Sequence, residues 1–298
     1  MPNLIAVGFA KCGTGSLSFL DCHSQIVFRF VESYFFMNAR KLKNDKLNVK
    51  NALSLYNLPK ARKSEVLLEK TPAYMNGKAT NLKDRFQLME EFSPGVKILV
   101  LLCDPLHRLW SHMKMNRKES HFLEMANLTE NWLPEMKNFN YKSAENIIDL
   151  PIFKNGEKVN RFIPFGYAKK VLLMGFYYSR LKILIETFGR DRVLLLDGDN
   201  LISDPDTEFG LVEEFVGVRK ELSFEFATRY PYPCLDEPVP MCLPDTKGTT
   251  HGTTKQPNST ELFNFYKKEM QMLKSFLKSF PNYKNDLKRF LWLDKYDD

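Results

Sequence analysis

The sequence predicts an α/β fold, a central parallel sheet with helices on both faces, contained in a single domain over residues 1–298. Three observations predict it. Short apolar runs without polar alternation recur along the chain, as strands covered on both faces require. Segments with helical spacing of apolar residues separate them. Three of the four runs are stopped by Gly, Asp-Pro or Asp-Gly, where a strand turns into its connection.

In chain order, Leu4–Val7 is a short buried strand, followed by a Gly-bearing loop and a helix from about Thr14. Glu65–Leu68 is a second apolar run, ending at Glu69. Val96–Leu102 (Val-Lys-Ile-Leu-Val-Leu-Leu) is the clearest buried strand, and Asp104-Pro105 stops it. His107–Lys118 then has helical character, and Tyr167–Phe188 carries large apolar residues at helical spacing. Arg192–Leu196 is a further strand, closed by Asp197-Gly198-Asp199. Asp206–Val216 is a helix, and Glu261–Phe280 a long one with Phe and Leu on one side and Lys on the other. Strands alternating with helices place a ligand at the carboxyl ends of the strands.

Composition narrows the class. The chain has 298 residues, 44% hydrophobic and 27% charged, which suits a soluble protein with a substantial core. No apolar run is long enough to cross a bilayer. Met1-Pro2-Asn3 leads directly into Leu4–Val7 without a signal-peptide pattern, which reads as a cytosolic protein or one whose N-terminal anchor lies outside this sequence. The net charge is +7, and between Arg40 and Lys63 eight basic residues face one acid, Asp45. A lysine-rich solvated face and a surface for a polyanion both fit that run, and the field alone separates neither nucleic acid from acidic polysaccharide. Cys234 and Cys242 close a Pro-rich stretch that suits a disulfide and lacks the further ligands of a zinc site. Asn127 and Asn258 begin Asn-x-Ser/Thr glycosylation acceptors. His23, His112 and His121 have no metal-ligand partners at suitable spacing, and Tyr177 and Tyr178 suit packing, so no metal is expected.

The loop Gly8-Phe-Ala-Lys11-Cys12-Gly13-Thr14-Gly15-Ser16-Leu17 carries the first chemical signal. Its glycines let backbone N–H groups converge, Thr14 and Ser16 add hydroxyls, and Lys11 adds a formal charge, together a phosphate cradle. It is not a Walker A loop, because there the lysine follows the last glycine. A strand–helix turn with a surface lysine has the same residues.

Four stretches together resemble the PAPS-dependent sulfotransferase superfamily, and within it the heparan sulfate glucosaminyl 3-O-sulfotransferases. Gly8–Leu17 is similar to the family's G-x-x-K-x-G-T loop for the donor's 5′-phosphosulfate. Glu69-Lys-Thr-Pro-Ala-Tyr74 matches E-K-T-P-x-Y, and Asp197-Gly-Asp-Asn-Leu-Ile-Ser-Asp-Pro205 resembles D-G-D-x-L-I-x-D-P. Cys234 through Cys242-Leu-Pro-Asp-Thr-Lys247-Gly248, then His251, resembles the family's disulfide loop running into K-G-R-x-H. The resemblance implies a P-loop-NTPase-like sulfotransferase fold, PAPS as co-substrate with PAP as product, no metal, and an acidic polysaccharide rather than a nucleic acid as partner. It implies Glu69 as general base and Lys11 as the group that stabilises the leaving phosphate. Lys11, Cys12, Gly13, Thr14, Gly15 and Ser16, with Cys103, Ser111 and Lys247, Gly248, Thr249, Thr250 and His251, occupy its donor-binding positions. Lys70, Tyr74 and Lys78 occupy positions for the acceptor, and a bridged Cys234–Cys242 implies the Golgi lumen.

Three positions depart from the family. Its arginines before Asp-Pro, after Gly-Thr in the phosphate loop and in K-G-R-x-H are here Cys103, Gly15 and Thr249. A thiol cannot grip a phosphate through two parallel hydrogen bonds as a guanidinium does. Arg108 and Lys114 on the following helix are candidates to compensate. The departures keep two further readings open: an impaired relative that binds glycosaminoglycan, and a sulfotransferase for a small-molecule or peptide acceptor.

Overall fold

The computed structural model describes residues 1–29, 31–38, 56, 58–116, 118–137, 165–226, 232–244, 256–279 and 288–297. Strands β1 (Leu4–Gly8), β2 (Ile26–Arg29), β3 (Val66–Lys70), β4 (Lys97–Leu102) and β5 (Val193–Asp197) form one sheet in the order β2-β3-β1-β4-β5. Every pairing is parallel, with Ile5 opposite both Glu69 and Ile98, and Leu102 opposite Asp197. The apolar runs are strands because helices around the sheet cover them: β1 is buried at all five positions and β4 at five of six. Short β6 (Ser223–Glu225) and β7 (Cys234–Glu237) pair antiparallel. The α/β class and the parallel sheet with helices around it agree with the sequence expectation.

The helices are α1 (Ala79–Phe92), α2 (Pro105–Met115), α3 (Phe122–Lys137), α4 (Phe165–Leu173), α5 (Tyr177–Phe188), α6 (Asn200–Ser203), α7 (Pro205–Val216) and α8 (Thr260–Lys278). Both Asp-Pro pairs start helices, and Asp104-Pro105 also follows the end of β4. Asp104 accepts the Leu106 N–H at 3.0 Å and Asp204 the Thr207 N–H at 3.3 Å, each with Pro at the first helical position.

The chain divides into two compact units: Met1–Asn76, Thr80–Leu102 and Leu184–Gly248 in the first, Gly77–Ala79, Cys103–Ile183 and Thr249–Asp298 in the second. The first holds the sheet. In the second, the fully buried Glu269 of α8 accepts the Ser179 N–H at 3.0 Å and its hydroxyl at 3.1 Å.

Three expectations of local structure are corrected. The segment after the Gly loop is a 3₁₀ helix, Ser16–Cys22, rather than an α-helix from Thr14. The stretch Tyr167–Phe188 belongs to two helices, Phe165–Leu173 and Tyr177–Phe188, with a turn between them at Gly175, where a Cβ would lie 2.6 Å from the Tyr266 ring. The edge strand β2 escaped the apolar-run criterion, since its burial alternates over only four residues.

Candidate active site

The phosphate loop follows β1 at the centre of the sheet, between the carboxyl ends of β3 and β4. Phe9 N–H donates to Leu101 O at 2.8 Å, which ties the loop to β4. Lys11 and Gly13 both have left-handed backbone, φ 77° and 79°. For a lysine that conformation is strained and persists only where its surroundings hold it. Among the described residues the N–H groups of Gly13, Thr14 and Gly15 donate to no backbone carbonyl. Three such amides beside an ammonium group fit an anionic phosphosulfate. The Ser16 hydroxyl, by contrast, donates to Gly13 O at 2.8 Å and is committed to the loop itself. Partial burial lowers the Lys11 ammonium from the usual lysine range.

Two other motifs hold this loop from below. A Cβ on Gly8 would meet Met75 Cγ at 2.8 Å and Pro72 O at 3.2 Å, so the turn after Glu69 packs directly on the start of the loop. A Cβ on Gly198 would lie 2.6 Å from Cys12 O. The Asp197-Gly198-Asp199 turn is therefore the loop's support, a role that its sequence pattern marked without explaining. Asp197 N–H donates to the buried Glu208 carboxylate at 2.9 Å, and Asp199 N–H to Asp197 Oδ1 at 2.8 Å. Burial pushes the Asp197 carboxyl up to about 7.

Glu69 lies on β3, the strand hydrogen-bonded to β1, and is fully buried. Its Oε1 accepts hydroxyls from Thr71 at 2.5 Å and Ser33 at 2.8 Å, with the Tyr74 hydroxyl at 3.4 Å. Its Oε2 is buried and receives no hydrogen bond. Desolvation pushes its carboxyl pKa above the usual carboxylate range, partly offset by the Thr71 and Ser33 hydrogen bonds. Sequence reasoning missed Ser33, which no motif marks, and Thr71, which sat unassigned inside E-K-T-P-x-Y.

The acceptor candidates are placed differently from one another. Tyr74 is buried and its hydroxyl joins the Glu69 network, 2.8 Å from Ser33 Oγ. Lys70 Nζ pairs with Glu32 at 3.7 Å, and Lys78 is exposed. In the second unit, Ser111 is half-buried on α2, whereas Arg108 is fully buried and donates to Val171 O at 2.6 Å. Lys114 is buried on the same helix. Cys12 and Cys103 are each disulfide-bonded, so the position of the family's arginine carries no thiol. Cys234 and Cys242 are bonded to each other. Lys247, Gly248, Thr249, Thr250 and His251 lie outside the described residues, as do positions 40–55 of the basic stretch.

The sulfotransferase domain family matches residues 1–227. Heparan sulfate glucosamine 3-O-sulfotransferase 3B1 of Mus musculus is 24% identical over 278 residues, 90% of this chain and 61% of that protein. The 3A1 enzyme of Homo sapiens is likewise 24% identical over 90% of this chain and 58% of its own length. Heparan sulfate glucosamine 3-O-sulfotransferase 5 of Mus musculus is 26% identical over 89% of this chain and 69% of that protein. The chain thus spans about three fifths of the length of the first of these relatives. A crystal structure of a sulfotransferase from Alicyclobacillus acidocaldarius shares the fold, with a TM-score of 0.58 and 19% identity over 93% of this chain and 95% of that one.

Proposed function

The chain belongs to the sulfotransferase domain family, and on that premise we propose that it moves a sulfuryl group from PAPS to a hydroxyl of an acidic glycan, at the heparan sulfate glucosamine 3-O position. The observation that carries the reading is the shared edge of β1 and β3: the Lys11 loop leaves one strand, Glu69 ends the next, and Gly8 rests on the turn between Pro72 and Met75.

The chemistry follows from that edge. As the acceptor oxygen bonds to sulfur, its proton passes to the Glu69 carboxylate. The bond from sulfur to the nucleotide's bridging oxygen breaks, and the phosphate departs with the electron pair. Lys11 and the amides of Gly13–Gly15 stabilise that growing charge. A buried carboxylate with a raised pKa is a stronger base once ionised, so transfer rises with pH as Glu69 loses its proton. Glu69 is covered in the described conformation, so the acceptor must displace part of its cover to reach it.

The acidic-polysaccharide acceptor, the donor role of Ser111 and residues 247–251, and acceptor contacts from Lys70 and Lys78 belong to this proposal. So does a single catalytic domain over 1–298, supported by a family match that runs through both units. The Cys234–Cys242 disulfide supports an oxidising compartment, which we take to be the Golgi lumen. Of the two glycosylation acceptors we favour Asn258, exposed ahead of α8, because the Thr129 hydroxyl of the Asn127 acceptor is buried and donates to Ala126 O.

Calorimetric titration with PAP tests the donor site, and Glu69→Gln tests the base. The reading expects PAP binding in both proteins and sulfate transfer from PAPS to a heparan-type acceptor only in the parent. The disulfide-bonded Cys103 at the family's arginine position favours a second reading, an inactive glycosaminoglycan-binding relative. Absence of PAP binding at millimolar nucleotide would select it.

A further inference from the structure

We propose that Ser33 is a positioning residue for Glu69: its hydroxyl, fed by Tyr74, holds Oε1 and leaves Oε2 as the oxygen that receives the acceptor's proton. The inference rests on the reading of Glu69 as general base and deepens it.

Three features of the geometry carry it. First, the two carboxylate oxygens are in opposite situations. Oε1 is saturated by the Ser33 and Thr71 hydroxyls at 2.8 and 2.5 Å, while Oε2 is equally buried and receives no hydrogen bond, with the buried Tyr56 hydroxyl and the Arg29 guanidinium as the other groups facing this carboxylate. An ionised carboxylate only accepts, so Oε2 has accepting capacity left for the hydroxyl that the acceptor brings. Second, Ser33 Oγ is a hub rather than a chance contact. It accepts the Phe35 N–H at 3.2 Å and lies 2.8 Å from the Tyr74 hydroxyl, which is itself 3.4 Å from the Phe36 N–H. Its own proton is thereby directed to Glu69, and hydrogen bonds in such a chain strengthen one another. Third, Ser33 N–H donates to Thr71 Oγ1 at 3.1 Å, so the same residue also orients the second donor on Oε1.

Donors on the charged form favour ionisation. Replacing Ser33 by Ala therefore moves the Glu69 titration upward by about one to two pH units, the worth of one hydrogen bond to a charged group. Below the shifted midpoint transfer falls roughly tenfold per unit, and it recovers at higher pH. A residue with a merely structural role would lower transfer at every pH alike.

The test is carbon-13 NMR of the full chain carrying side-chain-labelled glutamate, with the Glu69 signal assigned by its loss in Glu69→Gln. Transfer from PAPS to partially desulfated heparan sulfate is measured in parallel across pH. The inference expects a raised midpoint in Ser33→Ala, restoration in Ser33→Thr, and a smaller shift in the same direction in Tyr74→Phe. That last variant keeps the test open should Ser33→Ala fold poorly. An unmoved midpoint in the Ser33 and Tyr74 variants overturns the inference while leaving the base assignment standing. Transfer at the parent rate by Glu69→Gln overturns the base assignment, and the role of Ser33 falls with it whatever the titration gives.

Discussion

Gly198→Ala tests whether the loop's support matters to donor binding. The backbone of Gly198 is not in the left-handed region, so alanine is excluded by space alone. Its Cβ would lie 2.6 Å from Cys12 O, 2.9 Å from Cys12 C and 3.2 Å from Leu102 O. All three are main-chain atoms that no rotamer change can move. To reach ordinary contact the Cys12 carbonyl must retreat by about 0.8 Å, carrying Lys11 and Gly13 with it. Overpacking of this kind costs about 1–3 kcal/mol, and a displacement approaching 1 Å in a positioned group lowers rates by up to about a hundredfold. The expected result is a melting temperature lower by several degrees and PAP affinity reduced roughly tenfold, the equivalent of about 1.4 kcal/mol. Gly95→Ala is the control: its φ of 78° penalises alanine, yet nothing lies within 4 Å of the added Cβ. That variant should lose stability while binding PAP normally. Parent-like PAP affinity in Gly198→Ala would refute the supporting role.

Lys11→Ala should lower transfer by about 10²–10³-fold, as removal of a group aimed at developing charge does; a loss under threefold in steady-state kinetics would remove it from the reaction. Burial pushes Glu269 up to about 7, above the unfolded value near 4.5, so the stability it permits is complete below about pH 4.5 and is lost as pH rises through 7. Urea unfolding at pH 5 and pH 8 should show the parent losing up to about 3 kcal/mol relative to Glu269→Gln, and equal pH dependence of the two proteins would contradict this. Breaking the Cys234–Cys242 bridge, a separation of eight residues, by Cys242→Ser should cost about 2.5 kcal/mol by loop-closure entropy, read as a fall in melting temperature.

Much of the site was legible because its motifs are local. The glycines and lysine of Gly8–Ser16 specify a turn of convergent amides, and the apolar runs before Gly8 and Glu69 place both at strand ends. The E-K-T-P-A-Y pattern suggests an acceptor contact for Tyr74, and what it does not specify is that the Tyr74 hydroxyl is buried beside Glu69. Arg108 stands in the sequence as a candidate to compensate for the missing arginines, but its guanidinium is enclosed and bonded to the Val171 carbonyl. Burial of a long charged side chain depends on what covers it, which helical periodicity does not encode.

By itself the sequence determined what neighbouring residues control: the four strands with continuous apolar runs, where they stop, and which loop can gather backbone amides around an anion. Those follow from steric limits and apolar spacing within a few residues. Only the tertiary structure decided that Ser33 meets Glu69 across 36 positions of chain, that Gly198 lies under Cys12, and that one carboxylate oxygen is tied while its twin is left without a donor. Such contacts arise when parallel strands distant in sequence become neighbours, and their hydrogen bonds depend on distances of a few tenths of an ångström that no linear pattern specifies.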